Sequence, residues 1–401
     1  MAPALLVETP SSSGGCTCSP GRSAGVQKIT TTPSSPPDSP CGFEALCHPL
    51  EESITKQVDG WFLAHWPFAT AKDRKKFVTS AFSQVTCLYF PLAKDDRIRS
   101  ACELLTILFL IDDILEDMSL EDGAAYNNHL MPIMRGDVLP DRKIPVEWMM
   151  YDLWEHMRAL DKELADDVLE PTFTFMRAQT DKDRLSIVGM GPYLVYREKD
   201  VGKALLCSLM RFSMGLHVTR EELSAVVPIE QNCAKHLSVV NDILSWDKEL
   251  AAAQTGHVEG SAVCSAVQVL SDESSLPYSA AKRVLWVMCR EWESQHAVLM
   301  DELRQSWGSP LSESLLTYIK GLEYQMSGNE LWSKTTLRYN SPSDVVSHAR
   351  SRPGHCPKCD VTLTANHAKT PPKGAKGRAL ALVVSGIEQN GQGEKVQASS
   401  D

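Results

Sequence analysis

At 401 residues the chain is long enough for two or three ordinary domains. Its net charge of −11 argues against nucleic acid as the main partner, because a polyanion needs a basic face. The apolar run 104–111 falls well short of the roughly 20 residues that span a bilayer, and no other run reaches that length, so stable membrane insertion is not expected.

Residues 1–41 are rich in Ser, Pro, Gly and Thr, as in SSSGG and TTPSSPP, and carry almost no large apolar side chains. Such a segment buries too little surface to offset the entropy of ordering, which predicts a disordered tail. The opening MAPALLV is too short for a secretory leader and nothing basic precedes it. The twelve cysteines are irregularly spaced, many within apolar stretches, as at Cys87, Cys102, Cys207, Cys233 and Cys289. They therefore read as reduced thiols of a cytoplasmic protein.

From His48 onward apolar residues recur at helical spacing. Val58, Trp61, Phe62 and His65 with Trp66 predict one amphipathic helix stopped by Pro67, and 77–89 predicts another, ended at Pro91. Tyr89 sits at that end, beside an expected cavity or as a core tyrosine with a bonded hydroxyl. The next stretch, LLTILFLIDDILED at 104–117, is an apolar run that ends in acids. On a helix Asp112 and Glu116 share a face, while Leu105, Leu108, Ile111 and Leu115 pack. Carboxylates delivered to a low-dielectric interior need a cation, and a hard divalent metal suits oxygen ligands. The plain alternative is a core helix whose acids emerge into solvent.

Helical pattern resumes over 148–170, with Leu153, Trp154, Met157 and Leu160 on its apolar face; Phe173 and Phe175 follow Pro171, which suits a first helical turn. In YREKDVGKALL, Gly202 interrupts the pattern and marks a bend. The stretch NDILSWDKE at 241–249 then places Asn241, Ser245 and Glu249 at i, i+4, i+8, one narrow face of amide, hydroxyl and carboxylate that suits magnesium; a polar stripe on a solvated helix is the alternative. AAAQTGHVEGSA reads as a mobile connection, and helices follow over 280–300 and 311–326 before GNELWSKTTLRYN. The tail 341–401 is polar and basic. Its HCPKC at 355–359 offers Cys-x-x-Cys without a second Cys pair, so a low-order extension is expected rather than a zinc site.

DDILE at 112–116, NDILSWDKE at 241–249 and RY at 338–339 resemble the aspartate-rich, NSE and RY motifs of class I terpene cyclases. CLYFPLAKDDRI, MRGDVLPDR, EPTFTFMRAQTD, YREKDVGKALL and KGLEYQMSGNELWSKTT narrow the resemblance to the fungal aristolochene synthase family, over about 47–340 in consistent order. The resemblance implies an all-α class I terpenoid synthase bundle over 42–340 with disordered N- and C-terminal tails. It implies a sesquiterpene cyclase that ionises farnesyl diphosphate and releases a C15 hydrocarbon, aristolochene first among them. Magnesium, three ions per site, would be held by Asp112, supported by Glu116, and by Asn241, Ser245 and Glu249. Arg197, Lys203, Lys248, Arg338 and Tyr339 would bind the diphosphate, with Tyr89, Phe109, Phe175 and Trp332 contouring the pocket. A homodimer is common among similar proteins. Leu244 and Trp246 replace tyrosines expected inside the NSE motif, and a change that reshapes the pocket or the metal helix would yield a germacrene-stage or a different bicyclic sesquiterpene. A chain-elongating prenyltransferase would carry a second aspartate-rich motif where NDILSWDKE stands, and a silent isoprenoid-binding protein should have lost a metal ligand.

Overall fold

Spacings of three and four between apolar residues are realised as helix after helix. A computed structural model describes residues 41–342, with thirteen α-helices, one short 3-10 turn and, among the described residues, no strand. In chain order they are α1 (Glu51–His65), α2 (Ala71–Ser80), α3 (Phe82–Tyr89), α4 (Ile98–Leu115), α5 (Leu120–Arg135), α6 (Pro145–Leu160) and α7 (Lys162–Gln179). After the turn Lys182–Leu185 come α8 (Met190–Asp200), α9 (Lys203–Met214), α10 (Arg220–Thr255), α11 (Ala266–Ser274), α12 (Tyr278–Ser306) and α13 (Glu313–Thr335).

The apolar run ahead of the first acids makes α4 the buried axis, with Leu104, Ile107 and Ile111 fully enclosed. Around it pack α1, α3, α6 and α9, while α10 lies against α12 and α13, and α13 returns against α3. A second, smaller core of Tyr193, Val239, Ile243, Trp246 and Leu285 joins α8, α10 and α12. Helix α10 starts with a capping box, in which the Thr219 hydroxyl accepts the Glu222 amide and the Glu222 carboxylate accepts the Thr219 amide. Only then does its polar face begin to matter, two thirds of the way along.

Several boundaries differ from the sequence reading. The single helix expected over 77–89 is the end of α2 and all of α3, broken at Ala81, whose φ of 54° is left-handed. The break frees the Ser80 carbonyl, which accepts from the Trp332 indole Nε1 at 3.1 Å and the Thr336 hydroxyl at 3.0 Å. The 148–170 helix is likewise two, parted at Asp161, whose carboxylate caps α7 through the Leu164 amide and pairs with Arg97 at 3.1 Å. Pro171 therefore lies inside α7 and not in its first turn. His65, assigned to a packed face, is exposed. The residues AAAQT continue α10 and are no connection, and α11 was not foreseen. Gly202 does mark a bend, with φ of 73° between α8 and α9. Apart from Cys41, Ser341 and Pro342, the tails and the HCPKC motif lie outside the described residues; among the described residues no helix is long and apolar enough to cross a membrane.

Candidate active site

The C-terminal end of α4 and the second half of α10 deliver polar side chains to one cavity of ≈ 220 Å³ that is also lined by Leu105, Leu108, Leu205 and Leu206. Asp112 and Glu116 reach it from α4, and Asn241, Ser245 and Glu249 reach it from α10, as the i, i+4 spacing required. Arg197, Lys248, Arg338 and Tyr339 line it as well. So do the four contour residues, Tyr89, Phe109, Phe175 and Trp332.

Electrostatically the polar half is a mesh. The Arg338 guanidinium grips both oxygens of Asp113 at 2.9 and 3.1 Å, with Lys76 at 3.3 Å beyond. Burial alone would raise the Asp113 carboxyl, yet Arg338, Lys248 and Lys76 hold it well below the usual carboxylate range. Asp112 faces the other way: burial first, then the Glu116 charge, raise it above its ordinary value. Lys248 Nζ lies 2.5 Å from Glu116 Oε1. On α10, the Ser245 hydroxyl donates to Glu249 Oε1 at 2.5 Å, and burial with nearby Asp242 pushes Glu249 up to about 7. Asn241 accepts from Arg197 Nη2 at 2.9 Å and donates to the Tyr339 hydroxyl at 3.1 Å, joining α8, α10 and the segment after α13.

The apolar half is a stack. Phe82 and Phe109 lie parallel with centroids 4.5 Å apart, Trp332 stands 6.0 Å from Phe109, and Tyr339 meets Trp332 edge-on at 5.3 Å. Tyr89 is buried, its hydroxyl donating to Asn329 Oδ1 at 2.8 Å. Burial drives that phenol far above its ordinary range, so at neutral pH it stays protonated.

Two expectations fail on position. Lys203 does not line the cavity, because the left-handed turn at Gly202 swings it away from the face of Arg197; its ammonium lies 2.9 Å from Glu198 and 3.4 Å from Glu230. Leu244 and Trp246 belong to the second core, Trp246 ringed against Tyr278 at 4.7 Å, so neither contours the cavity. Three site residues escaped the sequence reading. Gln179, the last residue of α7, donates from Nε2 to Asp112 Oδ1 at 3.0 Å. Asp242, fully buried, holds Arg197 at 2.8 Å while accepting the Tyr193 hydroxyl at 2.5 Å and the Ala266 amide at 2.9 Å. Arg184 comes from the 3-10 turn. Asp242 stood inside a quoted motif and its place off the Asn241 face was the available signal; Gln179, also inside a quoted motif, lies four residues after Phe175 on one helix face, and Arg184 gave no signal.

All donors at the acidic end are oxygen atoms, and Asp112, Asp113 and Glu116 each bring a carboxylate oxygen within 4.8 Å of the others, which fits a hard divalent cation. A second group, Cys41, His236, Glu293 and Glu330, is equally close. There Arg290 already bonds both carboxylates, Lys334 takes Glu330 at 2.8 Å and the Gly42 amide takes Glu293 at 2.8 Å, so the charge is balanced from within.

Comparison with known proteins agrees with this geometry. Residues 103–295 match the family model described as "Terpene synthase family 2, C-terminal metal binding". The chain is 60% identical over 301 residues to aristolochene synthase of Aspergillus terreus, covering 75% of this chain and 93% of that protein. It is 60% identical over 315 residues to aristolochene synthase of Penicillium roqueforti, covering 79% and 91%. The crystal structure of the Penicillium roqueforti protein superposes with a TM-score of 0.66 at 59% identity, covering 74% of this chain and 99% of that one. With similarity this high running through nearly the whole of its relatives, the chain belongs to the aristolochene synthase family of terpene synthases.

Proposed function

We propose that this protein is a sesquiterpene cyclase that ionises farnesyl diphosphate and closes the carbocation to aristolochene, with diphosphate as the other product. The observation that carries the reading is the division of one cavity into an oxygen-and-cation half and an aromatic half. Similarity to proteins named aristolochene synthase supports the product.

In this reading Asp112, backed by Glu116, and Asn241, Ser245 and Glu249 would hold divalent ions, magnesium by the chemistry of the donors, three by family resemblance. Such ions, when bound, draw off the charge that grows on a departing diphosphate. The chain's own part is to supply donors: Arg197, Lys248, Arg338 and the Tyr339 hydroxyl would turn toward the diphosphate oxygens, where charge-assisted bonds are strongest. The apolar wall, where rings stand among Leu105, Leu108, Leu205 and Leu206, would offer the cation ring faces, each worth about 2 kcal/mol to a desolvated charge. Phe109, Phe175 and Trp332 would provide those faces, and Tyr89, bonded to Asn329, would shape the floor. The buried cysteines Cys87, Cys102, Cys207, Cys233 and Cys289 form no disulfide, which fits a reducing, cytoplasmic setting. Residues 42–340 would suffice for chemistry, as a truncation after Asn340 that keeps its fold and its rate would bear out; a homodimer is tested by sedimentation.

The deciding experiment is incubation of purified protein with farnesyl diphosphate and magnesium, followed by gas chromatography and mass spectrometry of the extract. Magnesium-dependent aristolochene is the expected result. Another C15 hydrocarbon would overturn the product, and no hydrocarbon from folded protein would overturn the cyclase.

A further inference from the structure

Four basic side chains line the cavity, and three are committed to acids. Arg197 is paired with Asp242 and Asp200, Lys248 with Glu116, and Arg338 with Asp113. The fourth, Arg184, has no carboxylate partner within ion-pair distance among the described residues. Its Nη1 donates to the Gln179 carbonyl at 3.0 Å, its Nη2 to the Ala262 carbonyl at 3.4 Å, and its Nε is buried without an acceptor.

This is an unusual resting place for a guanidinium. Two neutral carbonyls, one at the limit of hydrogen-bond length, satisfy part of its fork, and the orphaned Nε leaves a desolvated donor that an acceptor would relieve. Burial alone would weaken its charge, but the fields of Asp200 and Asp112 more than restore it. The cation is therefore both present and unspent. Its turn, Lys182–Leu185, is a single short element between α7 and α8, and the residues around it are largely exposed, so the arm is carried at the rim and not in the packed floor.

We propose that Arg184 is a further diphosphate-binding residue, whose guanidinium leaves the Gln179 and Ala262 carbonyls for the diphosphate oxygens when substrate enters. The planar fork matches phosphate geometry, and N–H bonds to an anionic oxygen are about twice as strong as those to a neutral carbonyl. Arg197, Lys248 and Arg338 must each give up a carboxylate to do the same; Arg184 gives up none. The proposal rests on the assignment of this cavity to a prenyl diphosphate.

The test is calorimetric titration of inorganic diphosphate, at saturating magnesium, into the full chain as wild type, Arg184→Gln and Arg184→Lys, with a thermal melt of each. Arg184→Gln should bind about tenfold more weakly, and Arg184→Lys within about threefold of wild type, because charge is kept while the fork is lost. Arg184→Gln within about twofold of wild type would overturn the proposal, as would equal loss in both variants, which would mean that bracing of the carbonyls and not charge is what matters. A measurement on wild type covers the case in which a variant does not fold: modification of Arg184 by phenylglyoxal, read by mass spectrometry, should be slowed by magnesium diphosphate, and unchanged modification would count against the role. Wild-type protein that binds no magnesium diphosphate would overturn the functional reading together with this one, whereas wild-type binding with Arg184→Gln unaltered overturns this one alone.

Discussion

The two halves of the cavity are held by different physics. The aromatic half, from α3, α4, α7 and α13, is anchored by burial: Phe82 and Trp332 are enclosed, Phe109 is half-buried against both, and the one polar atom of Trp332 is bonded to Ser80. The polar half, from the ends of α4, α8 and α10, is fixed by ion pairs among the groups that substrate and metal would use. A packed wall keeps its shape when the ligand arrives, while a mesh of charges must be rewired by it. The first half is thus suited to imposing a product contour and the second to reporting that the site is filled.

The largest effect should come from breaking the polar half at its oxygen donors. Asp112→Ala, Asn241→Ala and Glu249→Ala are each expected to lower turnover by about 10²–10³-fold with melting temperature little changed, as removal of a single electrostatic stabiliser does; steady-state kinetics with farnesyl diphosphate would check it. Breaking the packed half should instead be felt in the fold. Trp332→Ala is expected to cost about 3–5 kcal/mol of stability and to broaden the hydrocarbon spectrum, read by denaturant titration and by gas chromatography. Gln179→Leu sharpens the contrast, since it removes the amide that orients Asp112 but no charge. The magnesium concentration for half-maximal rate should rise about tenfold and the rate recover at high magnesium, which a merely loosened fold would not allow.

The smallest effect lies outside the cavity, on α1, and concerns pH. Asp59, on α1, accepts from the Ser83 hydroxyl at 3.3 Å, and burial first, with Glu51 adding, pushes its carboxyl from 3.8 up to about 6. A folded value above the unfolded one means that the folded state holds the proton more tightly. The stability this contributes is full below the unfolded value and lost as pH rises through about 6. Asp59→Asn should therefore melt higher than wild type at pH 7.5, by about 1 kcal/mol, and the difference should close by about pH 4.

What was legible in the sequence follows the same division. Periodicity exposed the helices, and spacing alone put Asn241, Ser245 and Glu249 on one face, because both are properties of a single segment. The break at Ala81 was not legible, since nothing in SAF announces it; it is compensated by Trp332 and Thr336, far away in sequence. The turn at Gly202 was legible, but its effect on Lys203 was not, because a bend shows in sequence without its direction. Gln179 lies four residues after Phe175 on α7 and so shares its face, but as the last residue of the helix it was passed over; Arg184 sits on a 3-10 turn and has no repeating neighbour to give it a face.

The pairing of Arg338 with Asp113, and of Lys248 with Glu116, also bears on the order of events. A metal ion arriving alone must compete with a resident ammonium or guanidinium for its carboxylate, and an anion arriving alone must compete with a resident carboxylate for its cation. When both arrive, every displaced charge finds a new partner of opposite sign. In the proposed reading each ligand would thereby improve the affinity for the other by the same factor, a reciprocal coupling that would disfavour the half-filled site.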